Sequence, residues 1–217
     1  MSRPAGGGGG RSGALRQWPR MGQDGSGESL DRTVNLDRVM YNVRTATLED
    51  TPGMGLVNVL AWQVGYVGLM TKEYLDARDP GARTDFWRKE IQAADPLRRT
   101  LVADAGGEVI GFVSYGRITI TDGHDWTGQP EPGVGELTVL NVHPAHWSKG
   151  VGSALLAAVD AGMAELGFDV EILWVIKGNA RARAFYEHHG WRIDGGTLYA
   201  AYEKVTFDQV RYRREVP

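Results

Sequence analysis

The sequence predicts a mixed α/β domain, a mixed sheet with helices packed on its faces. Two observations carry that class. The apolar pattern runs strand, helices, three-strand meander, helix, strand, helix and two strands, an order that fits neither a (β/α)8 barrel nor a repeat solenoid. The clearest helical pattern, Gly150 to Leu166, lies directly between two strand patterns.

Each element has a local reason. Tyr41, Val43 and Thr45 alternate with Asn42 and Arg44, which is strand periodicity, and Thr47 and Asp50 follow as capping candidates. Gly55 to Met70 places Leu56, Leu60, Val64 and Leu69 at near-helical spacing, and Thr71 is an N-cap candidate for a helix over Lys72 to Ala77. Phe86, Trp87 and Ile91 define a further helix over Thr84 to Ala93, stopped by Pro96. The runs Thr100 to Ala103 and Glu108 to Tyr115 form a hairpin about Gly106-Gly107, whose missing side chains permit positive φ. Thr121 to Gly135, rich in Gly, Pro and Asp, reads as a surface loop. Glu136 to Val142 is a strand. In the Gly150 to Leu166 helix, Val151, Leu155, Val159, Met163 and Leu166 share one face and Gly167 is the stop. Val170 to Ile176 reads as a buried strand, Ala180 to His189 as a helix ending at Gly190, and Leu198 to Lys204 and Thr206 to Arg214 as two closing strands.

Composition narrows the function. The 217 residues include 24 basic and 27 acidic side chains, for a formal charge of -3. That balance argues against a nucleic-acid binder, which needs clustered Lys and Arg. The longest unbroken apolar run, Ala154 to Val159, is far short of the roughly 20 residues that span a bilayer, so no membrane partner is expected. With no Cys there is no disulfide, thiolate nucleophile or sulfur-ligated metal, and a reducing, cytoplasmic setting fits. Residues 1–40, with Gly6 to Gly10 and the dispersed Arg3, Arg11, Arg16 and Arg20, are expected to be a disordered tail; residues 41–217 are expected to form one domain.

The chemistry concentrates in two segments. Val142 to Ala154 joins a strand to the start of the strongest helix, where unpaired N–H groups and the positive end of the backbone dipole await an anion, and Gly150 and Gly152 clear the approach. Neither a P-loop nor a dinucleotide fingerprint is present. Asn179 to Trp191 follows the next strand and forms the next helix.

Together these segments resemble the GNAT superfamily of acetyl-CoA-dependent N-acetyltransferases. Pro144 to Leu155 resembles the family's pyrophosphate motif, and Asn179 to Trp191 fills every fixed position of its N-x-[RK]-A-x-x-F-Y-x-x-x-G-[FW] motif. Glu136 to Pro144 is similar to its fourth strand and Val210 to Arg214 to its closing strand, so the likeness covers about residues 41 to 214. One position departs: Trp147 stands where the commonest family loop has Gln or Arg, and Lys149 is the compensating cation. The resemblance implies a mostly antiparallel twisted sheet of about seven strands with helices on both faces, and acetyl-CoA as donor.

It also implies roles. Tyr186 is the general acid toward the departing thiolate, with Phe185 in the core. Glu136 is the candidate base, acting through water on an amine that is protonated in all but roughly one molecule in a thousand at neutral pH. The main-chain N–H of Leu140 is the oxyanion donor, and the pantetheine arm pairs like an added strand beside Leu140, Asn141 and Val142. Ser148, Lys149, Gly150, Val151, Gly152 and Ser153 hold the pyrophosphate, with Asn179, Arg181 and Tyr186 as further cofactor contacts. Trp62 and Tyr66 fall where the family's acceptor pockets lie, and Asp122 and Asp125, in an insert without Lys or Arg, offer negative charge to an amine. The pairs His143/His146 and His188/His189 lack acidic ligands at suitable spacing, so no metal is expected.

The reaction expected is direct acetyl transfer in a ternary complex, and the absence of Cys agrees with a route lacking an acyl-enzyme. A small amine or amino acid leads as acceptor, and a protein N-terminus or lysine is second. A silent acyl-CoA-binding regulator and a polyanion-binding tail stay open as other classes, and a homodimer as the assembly.

Overall fold

The computed structural model describes residues 40–118, 131–202 and 205–217. The tail and the loop residues 119–130 lie outside them. The elements follow the order the sequence implies: β1 (Asn42–Thr45), a 3-10 turn (Leu48–Asp50), α1 (Thr51–Gly65), α2 (Lys72–Asp76), α3 (Pro80–Gln92), β2 (Arg98–Ala105), β3 (Glu108–Arg117), β4 (Val134–Val142), a 3-10 turn (Pro144–His146), α4 (Val151–Glu165), β5 (Val170–Ile176), α5 (Ala180–His188), β6 (Arg192–Tyr202) and β7 (Val205–Glu215). The seven strands form one sheet in the order β1-β2-β3-β4-β5-β7-β6. Every neighbouring pair is antiparallel except β4 with β5. Among the described residues no helix is long and apolar enough to cross a membrane.

Both sheet faces are covered. On one, Met54 and Val57 of α1 and Trp87 of α3 pack on Val102 and Phe112 of β2 and β3. On the other, Leu155, Leu156, Val159 and Met163 of α4 join Tyr186, Trp191, Leu173 and Tyr212 in a larger core. Caps set several boundaries. Thr71 Oγ accepts the Tyr74 N–H at 3.2 Å, and the β2–β3 turn takes Gly106 and Gly107 to φ of 70° and 96°.

Strands β2 and β4 start two residues before the expected positions, at Arg98 and Val134, so the end of the expected loop is already strand; three larger differences bear on packing. Helix α1 starts four residues early, at Thr51, and buries Met54, Val57, Asn58 and Ala61 rather than the Leu56/Leu60/Val64 stripe. Leu56 and Val64 stay 46% and 50% exposed, and Leu69 lies beyond the helix end. The helix is apolar most of the way round, so periodicity alone chose the wrong side. Helix α3 begins at Pro80 because Asp79 caps it, its carboxylate accepting from Gly81 and Ala82 N–H at 3.0 and 2.9 Å. Strand β6 starts at Arg192, six residues before the expected Leu198; Gly195, at φ 89°, forms an irregularity inside the strand rather than its end.

Beneath α4, a charged group is sealed in. Glu171 of β5 is fully buried. Arg214 Nε and Nη2 donate to its Oε2 at 3.1 and 3.0 Å, while the same guanidinium also pairs with Asp160 and donates to the His189 carbonyl at 3.2 Å. Among the described residues Glu171 Oε1 has no hydrogen-bond partner. Burial pushes its carboxyl up to about 7 against the opposing pull of Arg214. A carboxyl raised in the folded state adds stability that is complete below its unfolded value and lost as pH rises through about 7. Chemical denaturation should therefore show a loss of up to about 3 kcal/mol between about pH 4 and pH 8 that Glu171→Gln abolishes.

Candidate active site

The site grows from a failure of pairing. β4 and β5 run parallel through only three rungs, Val134 with Val170, Gly135 with Glu171 and Glu136 with Ile172; both strands then continue without each other. A bulge marks the departure. Ser114 and Tyr115 of β3 oppose Val139 and Leu137, which leaves Thr138 as the extra residue that bends β4. A wedge-shaped gap opens between the strands.

Strand alternation settles what faces the gap. The His143 N–H donates to Ile110 O at 2.8 Å, across β3. Asn141, two residues earlier, therefore points its main chain at β3 too, and Leu140 and Val142 turn their N–H and C=O groups into the gap. Both carbonyls are already occupied. Asn141 Nδ2 donates to Leu140 O at 2.8 Å, and Trp147 Nε1 donates to Val142 O at 2.7 Å. The two amide N–H groups are what this edge offers a ligand.

At the mouth of the gap, α4 begins. Ser148 and Gly150 adopt left-handed φ of 59° and 83°, and the first helical bond runs from Ala154 N–H to Gly150 O at 3.0 Å. Among the described residues no side chain caps the helix, so the N–H groups of Val151, Gly152 and Ser153 are left for a ligand. The two glycines serve different ends. Gly150 is required by its φ, whereas a Cβ at Gly152 would stand 3.3 Å from the Phe185 ring, so Gly152 lets α5 close on α4. Ser153 strengthens the same contact. His189 Nδ1 meets the Phe185 carbonyl at 2.8 Å and so carries the proton, which leaves Nε2 to accept the Ser153 hydroxyl at 2.9 Å. Val151 is buried and faces the loop only through its main chain. Lys149 is exposed. Arg181 lies over the Trp147 ring at 3.3 Å, and burial lowers its pKa.

By the start of α5 stand the phenols. Tyr186 is buried, and its phenol is raised well above the ordinary value by burial and by the nearby Tyr66. The Tyr66 phenol is also raised by burial, opposed by the Arg78 charge and a hydrogen bond with Asn179. Asn179 caps α5, its Oδ1 accepting the Ala182 N–H at 3.0 Å. Trp62 stacks on Tyr66 at 4.4 Å, and the Arg78 guanidinium covers Trp62 at 3.9 Å. Tyr66, far from Asn179 and Tyr186 in the chain, thus joins them in one cluster. Glu136 occupies the last shared rung. A Cβ on Gly135 would strike Met163 and Phe168 of the α4 side, so the buried Glu136 projects to the α1 side.

Asp122 and Asp125 lie outside the described residues. His143 and His146 have ring centroids 5.7 Å apart, and among the described residues no group of three His, Asp or Glu could hold a metal. The sequence reading missed Asn58 and Arg78. Asn58 left a signal, a lone polar residue inside the apolar run Val57 to Trp62.

Comparison with known proteins agrees with this geometry. The Acetyltransferase (GNAT) family model matches residues 66–191. The uncharacterised N-acetyltransferase YuaI of Bacillus subtilis is 30% identical over 142 residues, 64% of this chain and 74% of that protein. A mycothiol acetyltransferase of Salinispora tropica is 30% identical over 206 residues, 83% of this chain but 60% of the relative's length. The crystal structure of PaiA N-acetyltransferase from Thermoplasma acidophilum with coenzyme A superposes with TM-score 0.63 at 20% identity, covering 81% of this chain and 99% of that one. The chain belongs to the GNAT family of acetyltransferases, whose cosubstrate is acetyl-CoA.

Backbone strain gives a test of the loop. Gly150→Ala should destabilise the protein by about 1 kcal/mol and weaken acetyl-CoA binding, while Gly150→Asn, better tolerated at left-handed φ, costs less. Thermal unfolding and calorimetry read the two effects, and equal costs for Ala and Asn contradict a φ origin.

Proposed function

We propose that the protein is an N-acetyltransferase that moves the acetyl group of acetyl-CoA to the primary amine of a small molecule or amino acid, by direct attack in a ternary complex. The observation that carries the reading is the gap between β4 and β5, with two main-chain donors along one wall, the uncapped start of α4 at its mouth and Tyr186 within its cluster of phenols. A bound pantetheine arm fits an edge whose N–H groups face outward, and a diphosphate fits a helix start without a cap.

When bound, acetyl-CoA supplies an activated acyl group on a thiol leaving group. The chain's own groups supply the rest. The Leu140 N–H donates to the thioester oxygen, on which negative charge develops, from a position set before reaction. Tyr186, held protonated by burial, donates to the leaving sulfur. Its raised pKa makes it a weaker acid than an exposed phenol and keeps the proton in place until the thiolate departs. Glu136, on the acceptor side of the sheet, takes the amine's proton through water. Trp62 and Tyr66 give the acceptor an aromatic wall, with Asp122 and Asp125 as sources of attraction for its charge. Ser148, Lys149, Val151, Gly152, Ser153, Asn179 and Arg181 bind the donor around the α4 and α5 starts. The proposed setting is the cytoplasm.

The deciding experiment is release of free CoA across a panel of small amines, amino acids and peptides. Turnover with small amines supports the reading, turnover confined to peptides moves the acceptor to protein amines, and tight acetyl-CoA binding without turnover points to a regulator. Tyr186→Phe should lower kcat by about a hundredfold with acetyl-CoA affinity unchanged. Glu136→Gln should lose most activity at neutral pH and regain it as pH approaches the amine's own pKa of about 10, where no base is needed. A kcat ratio that stays flat across that range removes Glu136 as base.

A further inference from the structure

A chain of three side chains runs from the α2–α3 connection to the gap. Arg78 has donors only, so the Asn58 amide that meets its Nη2 at 3.0 Å must present Oδ1. That choice turns Asn58 Nδ2 toward Asn141, 2.7 Å from its Oδ1. Asn141 is left with Nδ2 for the Leu140 carbonyl at 2.8 Å. One cation thus sets the polarity of both amides. Asn58 is buried on α1 beside Met54, Val57 and Ala61, where a polar side chain needs partners.

We propose that Asn58 and Asn141 are positioning residues for acyl transfer: they hold the Leu140 carbonyl capped, so that the open edge of β4 presents donors alone to the oxygen that gains negative charge. The proposal rests on the reading that acetyl-CoA lies along that edge. The physical reason is electrostatic. Leu140 N–H and C=O face the same gap, and a bare carbonyl beside the donor would repel the charge that the donor stabilises. Trp147 does the same for Val142, so both carbonyls that alternation aims at the ligand are silenced. Neither asparagine touches reacting atoms; each acts through the Leu140 peptide.

The test uses the intact chain and near-isosteric changes. In Asn58→Asp the carboxylate still accepts from Arg78 but has nothing to donate to Asn141 Oδ1. Asn141 must turn its amide round, and its oxygen then opposes the Leu140 carbonyl. The expected result is a fall in kcat of at least about tenfold, with acetyl-CoA Kd within about threefold of wild type and no drop in Tm. Asn141→Asp keeps the acceptor for Asn58 and loses the donor to Leu140. Protonation restores that donor, so its kcat relative to wild type should rise as pH falls through the carboxyl's titration, a signature that packing alone does not produce. Wild-type kcat in both variants, a loss matched by lost acetyl-CoA affinity, or a flat pH ratio for Asn141→Asp overturns the proposal. A wild-type protein that neither binds nor turns over acetyl-CoA overturns the functional reading beneath it instead.

Discussion

Two neighbouring parallel strands share three rungs and then part, and the site depends on that separation. An open strand edge inside a protein is a liability, since its N–H and C=O groups need partners and invite any extended chain. Here the bulge at Thr138 turns β4 aside, and Asn141 and Trp147 satisfy the outward carbonyls. What stays open is a short row of donors. The uncapped start of α4 stands at the mouth of the gap, and Tyr66 meets Asn179 at the start of α5 and lies near Tyr186.

Burial acts with opposite consequences at two places on the α4 side of the sheet. In the phenol cluster it keeps Tyr186 protonated, which suits a proton donor. Under α4 it leaves Glu171 with an unpartnered oxygen beside an arginine shared with Asp160. Arg214 also reaches the carbonyl of His189, whose ring holds Ser153 of α4. The packing that fixes α4 and the buried Glu171 therefore belong to one connected region.

Particular residues show how much was legible. The hairpin at Gly106-Gly107, the helix from Val151 and its stop at Gly167, and the strand Val170–Ile176 follow from local pattern, because positive φ and apolar period act within a few residues. The motif residues Asn179 and Tyr186 could be named in advance. The buried side of α1 could not, since Leu56 and Val64 match the helical period as well as Met54 and Val57 do, and only contact with Phe112 and Trp87 chooses between them. Gly195 reads as a break, but pairing with β7 carries the strand across it.

The sequence by itself determined the element order, the α4 loop, the α5 motif and membership of an acyl-transferring family, because these are written in residues close together. Tertiary structure alone decided where β4 leaves β5, which main-chain groups face the gap, and that the missing side chain of Gly152 makes room for Phe185. The asparagine relay belongs there as well, its two members being 83 residues apart. Hydrogen-bond direction and strand register arise only when distant segments meet, and a chain read in order carries no mark of which carbonyl a distant arginine will silence.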